Sequence, residues 1–134
     1  KEYLVNFSRP FIFSTACLPS LCVLLKSSVE YWDSIGKDRA ERVLAASRQF
    51  QEMLGPLSPN VSGPIIPIVL GHNEITLRVA KSLQDQGFDV RAIRPPTVAP
   101  GKSRLRITVT YPNSNTEILA DLASRLKNSI RNLT

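Results

Sequence analysis

Histidine occurs once in this 134-residue sequence, cysteine twice, and tryptophan and methionine once each. His72 with Cys17 and Cys22 falls short of the four ligands of a structural zinc site unless carboxylates help, so no metal is expected. A lone imidazole leaves no Ser-His-Asp or Cys-His arrangement to assemble, and His72, beside the potential helix cap Asn73, reads as a surface turn residue. The cysteines stand too close together to suggest a disulfide framework. They are expected as reduced, half-buried thiols in a cytoplasmic protein. Neither GxGxxG nor GxxxxGKS spacing is present to cradle a phosphate, and no GxxG loop of the KH type occurs. Aromatic residues make up 7% of the chain and do not alternate with basic ones as on an RNA-stacking sheet, so nucleic acid is not an expected partner. Long apolar runs are also missing. The nearest to one, "PFIFSTACLPSLCVLL" (residues 10 to 25), is interrupted by Pro10 and Pro19 and is too short to span a bilayer, which argues against a membrane partner and against a signal peptide. No methionine stands at position 1, and the sequence is expected to begin inside something longer.

What is present begins with charge. Seventeen basic against eleven acidic residues give +6, which favours anionic partners such as phosphates, carboxylates, coenzyme A or nucleic acid without choosing among them. With 43% hydrophobic residues the chain has the size of one domain and can bury about two-thirds of its unfolded surface.

Apolar residues from Leu21 through Trp32, Val43 and Phe50 to Met53 follow a helical spacing that stops at Gly55-Pro56, with Ser34 and Gly36 marking a bend or break. The Pro/Gly/Ser-rich stretch from Gly55 to Pro64 reads as a linker, so the organisation is a helical segment over residues 1–55 and a small α/β unit over 56–134. In that unit "PIIPIVLG" (64 to 71) reads as a strand buried on both faces. A helix capped by Asn73 runs to about Gln86 with Ile75, Val79, Ala80 and Leu83 inward, and Gly87 supplies a left-handed exit. Phe88, Val90 and Ala92 alternate in a second strand that ends at Pro95-Pro96. Leu105, Ile107 and Val109 alternate with Arg104, Arg106, Thr108 and Thr110 in a third. Ser114 with Glu117 gives a capping-box signature for a last helix lined by Ile118, Leu122, Leu126 and Ile130. The pattern predicts a two-layer α/β fold in which helices cover one sheet face and the arginines of the third strand occupy the other.

Arg104 and Arg91 read as solvated or ion-paired surface groups. Arg94, held before a proline pair, and Arg106, fixed between Leu105 and Ile107, start from rigid backbone, and a planar guanidinium so held suits bidentate recognition of a carboxylate. Both are expected to border one anion-accepting cleft. Residue chemistry alone reaches a small α/β module with an anion-binding face, and a stand-alone binding or regulatory module remains an alternative.

The stretches "YLVNFSRPFIFSTACLPS" (3 to 20), "PIIPIVLGHNEITLRVAKSLQDQGFDV" (64 to 90) and "AIRPPTVAPGKSRLRITVT" (92 to 110) resemble, in order and spacing, the α-oxoamine synthases. These are pyridoxal-phosphate enzymes that condense an amino acid with an acyl-coenzyme A and release CO2. The "IRPPTV" version (93 to 98) is similar to the branch that serves biotin synthesis, where the substrates are L-alanine and an acyl-coenzyme A such as pimeloyl-CoA. The resemblance implies the small C-terminal domain of a fold-type I enzyme: an antiparallel-rich three-stranded sheet with helices on one face, preceded by a long bridging helix. It implies a homodimer and a missing N-terminal large domain. Arg106 would grip the substrate carboxylate, Arg94 would lie near the acyl or carboxylate end, and Ser14 and Thr15 would approach the cofactor phosphate of the partner subunit. The cofactor-bearing lysine and the ring-binding histidine and aspartate belong to a part of the family chain upstream of "YLVNFSRPF". None of Lys1, Lys26 or Lys37 sits in the lysine motif, so the chain alone is expected to be inactive and to hold no cofactor stably.

Overall fold

A computed structural model describes residues 1–12 and 16–132, for Phe11 its backbone only. The chain divides into two compact units, Lys1–Lys37 and the residues from Asp38 onward.

The first unit is helical: α1 (Glu2–Phe7), α2 (Arg9–Ile12) and α3 (Pro19–Tyr31), followed by a π-helical turn over Trp32–Gly36. Pro19 opens α3 at a position where its missing N–H has no intrahelical role. The break expected at Ser34 and Gly36 is this π turn, in which the Ser34 hydroxyl donates to the Tyr31 carbonyl at 2.8 Å and the Trp32 indole lies against Gly36. No residue of α1 or α3 is buried. Cys17 and Cys22 are free, as expected, but exposed rather than half-buried, because they lie in and beside that uncovered helix.

In the second unit α4 (Lys37–Leu54) leads through a 3-10 turn to β1 (Ile65–Gly71), α5 (Asn73–Asp85), β2 (Arg91–Ile93), β3 (Ser103–Thr108) and α6 (Thr116–Arg131). The order of elements is the one the sequence pattern predicts. The strands form one antiparallel sheet in the order β1-β3-β2. Ile66 and Ile68 of β1, Leu105 and Ile107 of β3, Val79 and Leu83 of α5, and Leu122 and Leu126 of α6 form one core with Phe50 and Leu54 of α4. Each such side chain contributes roughly 1.5–3 kcal/mol by leaving water. The linker is tied back onto α4: Ser47 Oγ donates to the Gly63 carbonyl at 2.7 Å, while the Gln51 amide donates to the Val61 carbonyl at 3.0 Å and accepts from the Val61 N–H at 2.9 Å.

Several local expectations are corrected. Within this chain strand β1 is covered on one face only: Ile66 and Ile68 are fully buried, while Ile65 and Val69 are 53% and 49% exposed. Helix α5 is capped by His72, whose carbonyl accepts from Thr76 Oγ1 and N–H, and Asn73 is its first residue. Strand β2 is shorter than Phe88–Ile93 because Phe88 bonds back to Leu83 and Val90 to Phe88, which removes both N–H groups from the ladder. Asn115, not Ser114, caps α6 by accepting from the Glu117 N–H, and Ser114 instead donates to the Tyr111 carbonyl. In α6 Leu119, not Ile118, is buried with Leu122 and Leu126, and Ile118 is exposed.

Candidate anion-binding site

Strand β3 decides what the two sheet faces carry. Ser103, Leu105 and Ile107 are buried against the helices, while Arg106 and Thr108 are exposed on the other face and Arg104 is half-buried there. The register sets Arg106 between Pro67 of β1 and Arg91 of β2, and Arg104 between Val69 and Ile93. The outer face is therefore a patch of Ile65, Pro67, Val69 and Ile93 crossed by three arginines.

The arginines differ in what holds them. Arg104 Nε donates to the Lys102 carbonyl at 3.0 Å. Arg91 is gripped by Asp89 through Nε–Oδ1 at 2.9 Å and Nη2–Oδ2 at 3.2 Å. Among the described residues Arg106 and Arg94 have no side-chain hydrogen bond or ion pair. Arg94 follows the last residue of β2, its carbonyl accepts from the Thr97 N–H at 3.0 Å, and the Pro95-Pro96 bond beyond it is cis. Gly101, with φ of +75°, turns the loop back into β3, a conformation that other residues rarely adopt.

The structure does not bring Arg94 beside Arg106. Ile93 pairs with Arg104, so Arg94 lies three residues further along than Arg91, roughly 10 Å at the rise of a strand. The residue brought beside Arg106 is Arg91, which is an exposed, ion-paired group as expected. Its alternation with Ala92 was a usable signal for the face it occupies, but pairing with Arg106 depends on register.

Ser14 and Thr15 lie outside the described residues. His72 is exposed and lines a cleft of about 590 Å3 with Asn73, Glu74, Pro95 and Gly101. A wider cleft of about 1090 Å3 runs between α5 and α6, lined by Arg78, Lys81, Gln86 and Arg125 among others. Neither cleft contains Arg106. All six lysines are exposed, Lys26 paired with Glu30 and Lys81 with Asp85. A lysine that carries a carbonyl cofactor needs a desolvated pocket to be nucleophilic at neutral pH, so the described residues do not by themselves fit pyridoxal phosphate. Among them there is also no group of three His, Cys, Asp or Glu side chains that could hold a metal ion, and no helix long and apolar enough to cross a membrane.

The three-stranded antiparallel sheet with helices on one face is the C-terminal domain fold of the fold-type I pyridoxal-phosphate enzymes. It matches a serine palmitoyltransferase from Sphingomonas wittichii with a TM-score of 0.81 at 20% identity, over 98% of this chain and 34% of that one. An 8-amino-7-oxononanoate synthase from Francisella tularensis matches with a TM-score of 0.80 at 20% identity, over 98% and 38%. No family model matches the chain. Its sequence relatives are 8-amino-7-oxononanoate synthases, of which it matches the C-terminal portion. The 8-amino-7-oxononanoate synthase of Bordetella petrii is 40% identical over 134 residues, 95% of this chain and 34% of that protein. 8-Amino-7-oxononanoate synthase 2 of Bacillus subtilis is 38% identical over 122 residues, 87% of this chain and 31% of that protein. The chain thus spans about a third of the length of the curated relatives it matches.

Proposed function

We propose that this chain supplies the C-terminal domain of a pyridoxal-phosphate-dependent acyltransferase of the 8-amino-7-oxononanoate synthase type, which joins L-alanine to an acyl-coenzyme A such as pimeloyl-CoA with loss of CO2. The observation that carries the reading is Arg106, displayed on the outer sheet face with no side-chain hydrogen bond or ion pair among the described residues, in a chain whose relatives are such synthases. When bound, the cofactor supplies the electron sink for decarboxylation and carbon–carbon bond formation. The share of this chain is orientation. The Arg106 guanidinium presents paired N–H donors to the amino-acid carboxylate and holds it in one plane, and Leu105 and Ile107, locked in the core, fix the backbone from which it projects. Arg94 stands near the acyl or carboxylate end of the site, and Ser14 and Thr15 serve the cofactor phosphate of a partner subunit in a cytoplasmic homodimer.

The test uses the protein expressed from its whole reading frame, assayed for 8-amino-7-oxononanoate from L-alanine and pimeloyl-CoA. Arg106→Ala should lose roughly 1.5–3 kcal/mol of L-alanine affinity while cofactor binding is largely kept, and Arg104→Ala should lose much less. Arg106→Lys should rescue only in part, since an ammonium lacks the planar fork. Equal indifference to both alanine substitutions overturns the reading.

A further inference from the structure

Arg91 and Arg106 are direct cross-strand partners, so their side chains leave the same face about 5 Å apart at their bases. Like charges placed so are destabilising unless something compensates. Asp89 does so, and the way it does has a chemical consequence. It engages the Nε and Nη2 edge of Arg91, two of five N–H donors, and leaves the remaining donors open. The Asp89–Arg91 pair is neutral, so with Arg106 the cluster carries one net positive charge, the complement of one carboxylate. Arg104, the other arginine of this face, is turned to the Lys102 carbonyl instead. On the far side Arg106 pairs with Pro67, whose side chain brings neither a charge nor a hydrogen-bonding group.

We propose that Arg91 is a second arm on the carboxylate that Arg106 grips, with Asp89 as the positioning residue that aims it. The site is then a two-arginine clip for a monocarboxylate. The proposal rests on the reading of Arg106 as the carboxylate ligand and adds to it a residue on a different strand. Arg91 stays held by Asp89 while its end-on donors meet one carboxylate oxygen, and Arg106 takes the other, so the carboxyl group is fixed in position and in rotation.

The experiment measures L-alanine dissociation constants in the protein from the whole reading frame, with cofactor loaded. Arg91→Gln should weaken binding about tenfold, the loss of one charge-assisted hydrogen bond. Arg91→Lys should not restore it, and Arg104→Gln, which removes the same charge from the same face, should cost much less. Asp89→Asn should weaken binding in the native background and have no further effect in the Arg91→Gln background, a coupling that a merely structural role would not produce. If Arg91→Gln costs no more than Arg104→Gln while Arg106→Ala remains damaging, the clip is overturned and Arg106 acts alone. If Arg106→Ala is also harmless, the underlying reading of the site has failed.

Discussion

The Ser103 hydroxyl, fully buried at the start of β3, donates to the side-chain oxygen of Asn73 in the first turn of α5, thirty residues away in sequence. This bond ties the end of the loop that follows the proline pair to the helix behind it, and so anchors the strand that carries Arg106. Ser103→Ala should cost about 1 kcal/mol, because the exposed Asn73 can turn to water once its partner is gone. A lower denaturation midpoint with an unchanged urea slope would register this; no shift would mean that the bond contributes nothing net.

Phe50 is fully buried, and it brings α4 into the core of the sheet unit. Phe50→Ala should destabilise by about 3–5 kcal/mol through lost transfer energy and the cavity left behind. Chemical unfolding of the unit from residue 38 onward checks this, and a cost below about 1 kcal/mol would show that α4 is peripheral to it.

Gly36 leaves room for the Trp32 indole, and a methyl group at 36 would collide with that ring. Gly36→Ala should displace the side chain of the single tryptophan, so the change reads directly as a shift in emission. An unaltered spectrum would mean that the π turn does not hold the indole against the backbone.

Apart from any partner, the 134-residue chain should take up pyridoxal phosphate without specificity, since each lysine is exposed. Borohydride treatment followed by peptide mapping should find scattered partial labelling of lysines. Stoichiometric labelling of one lysine would contradict the view that the pocket lies elsewhere.

Leu21, Val23, Leu24, Leu25 and Val29 of α3 are between 42% and 66% exposed. The isolated chain should therefore bind a hydrophobic dye, and Leu24→Glu with Val29→Lys should reduce the signal. Dye silence in the native chain would show that these side chains are covered.

Most of the fold could be read in advance because its signals are local. The alternation of Leu105, Ile107 and Val109 with Arg104 and Arg106 states which face of β3 is wet, whatever the strand pairs with. Gly87 and Gly101 were legible as turns, and both have positive φ. The caps were less so: Asn73 and Ser114 are capping residue types, but His72 and Asn115 occupy the caps, because helix ends are settled by where packing lets the chain enter and not by side-chain type alone. In β1 the apolar run Ile65 to Leu70 gave no sign of which face would be covered within the chain.

By itself the sequence determined the element order, the two sheet faces, the proline and strand positions that flank Arg94 and Arg106, and the resemblance to the α-oxoamine synthases. These follow from periods of two and 3.6 residues and from proline and glycine, all of which act within a few residues. Only the tertiary structure decided that Arg91, and not Arg94, stands beside Arg106, and that Asp89 compensates it. Register is a relation between strands, set by how the loop returns and by which side chains the core accepts. A displacement of one residue along β2 would have sent Arg91 to the other face.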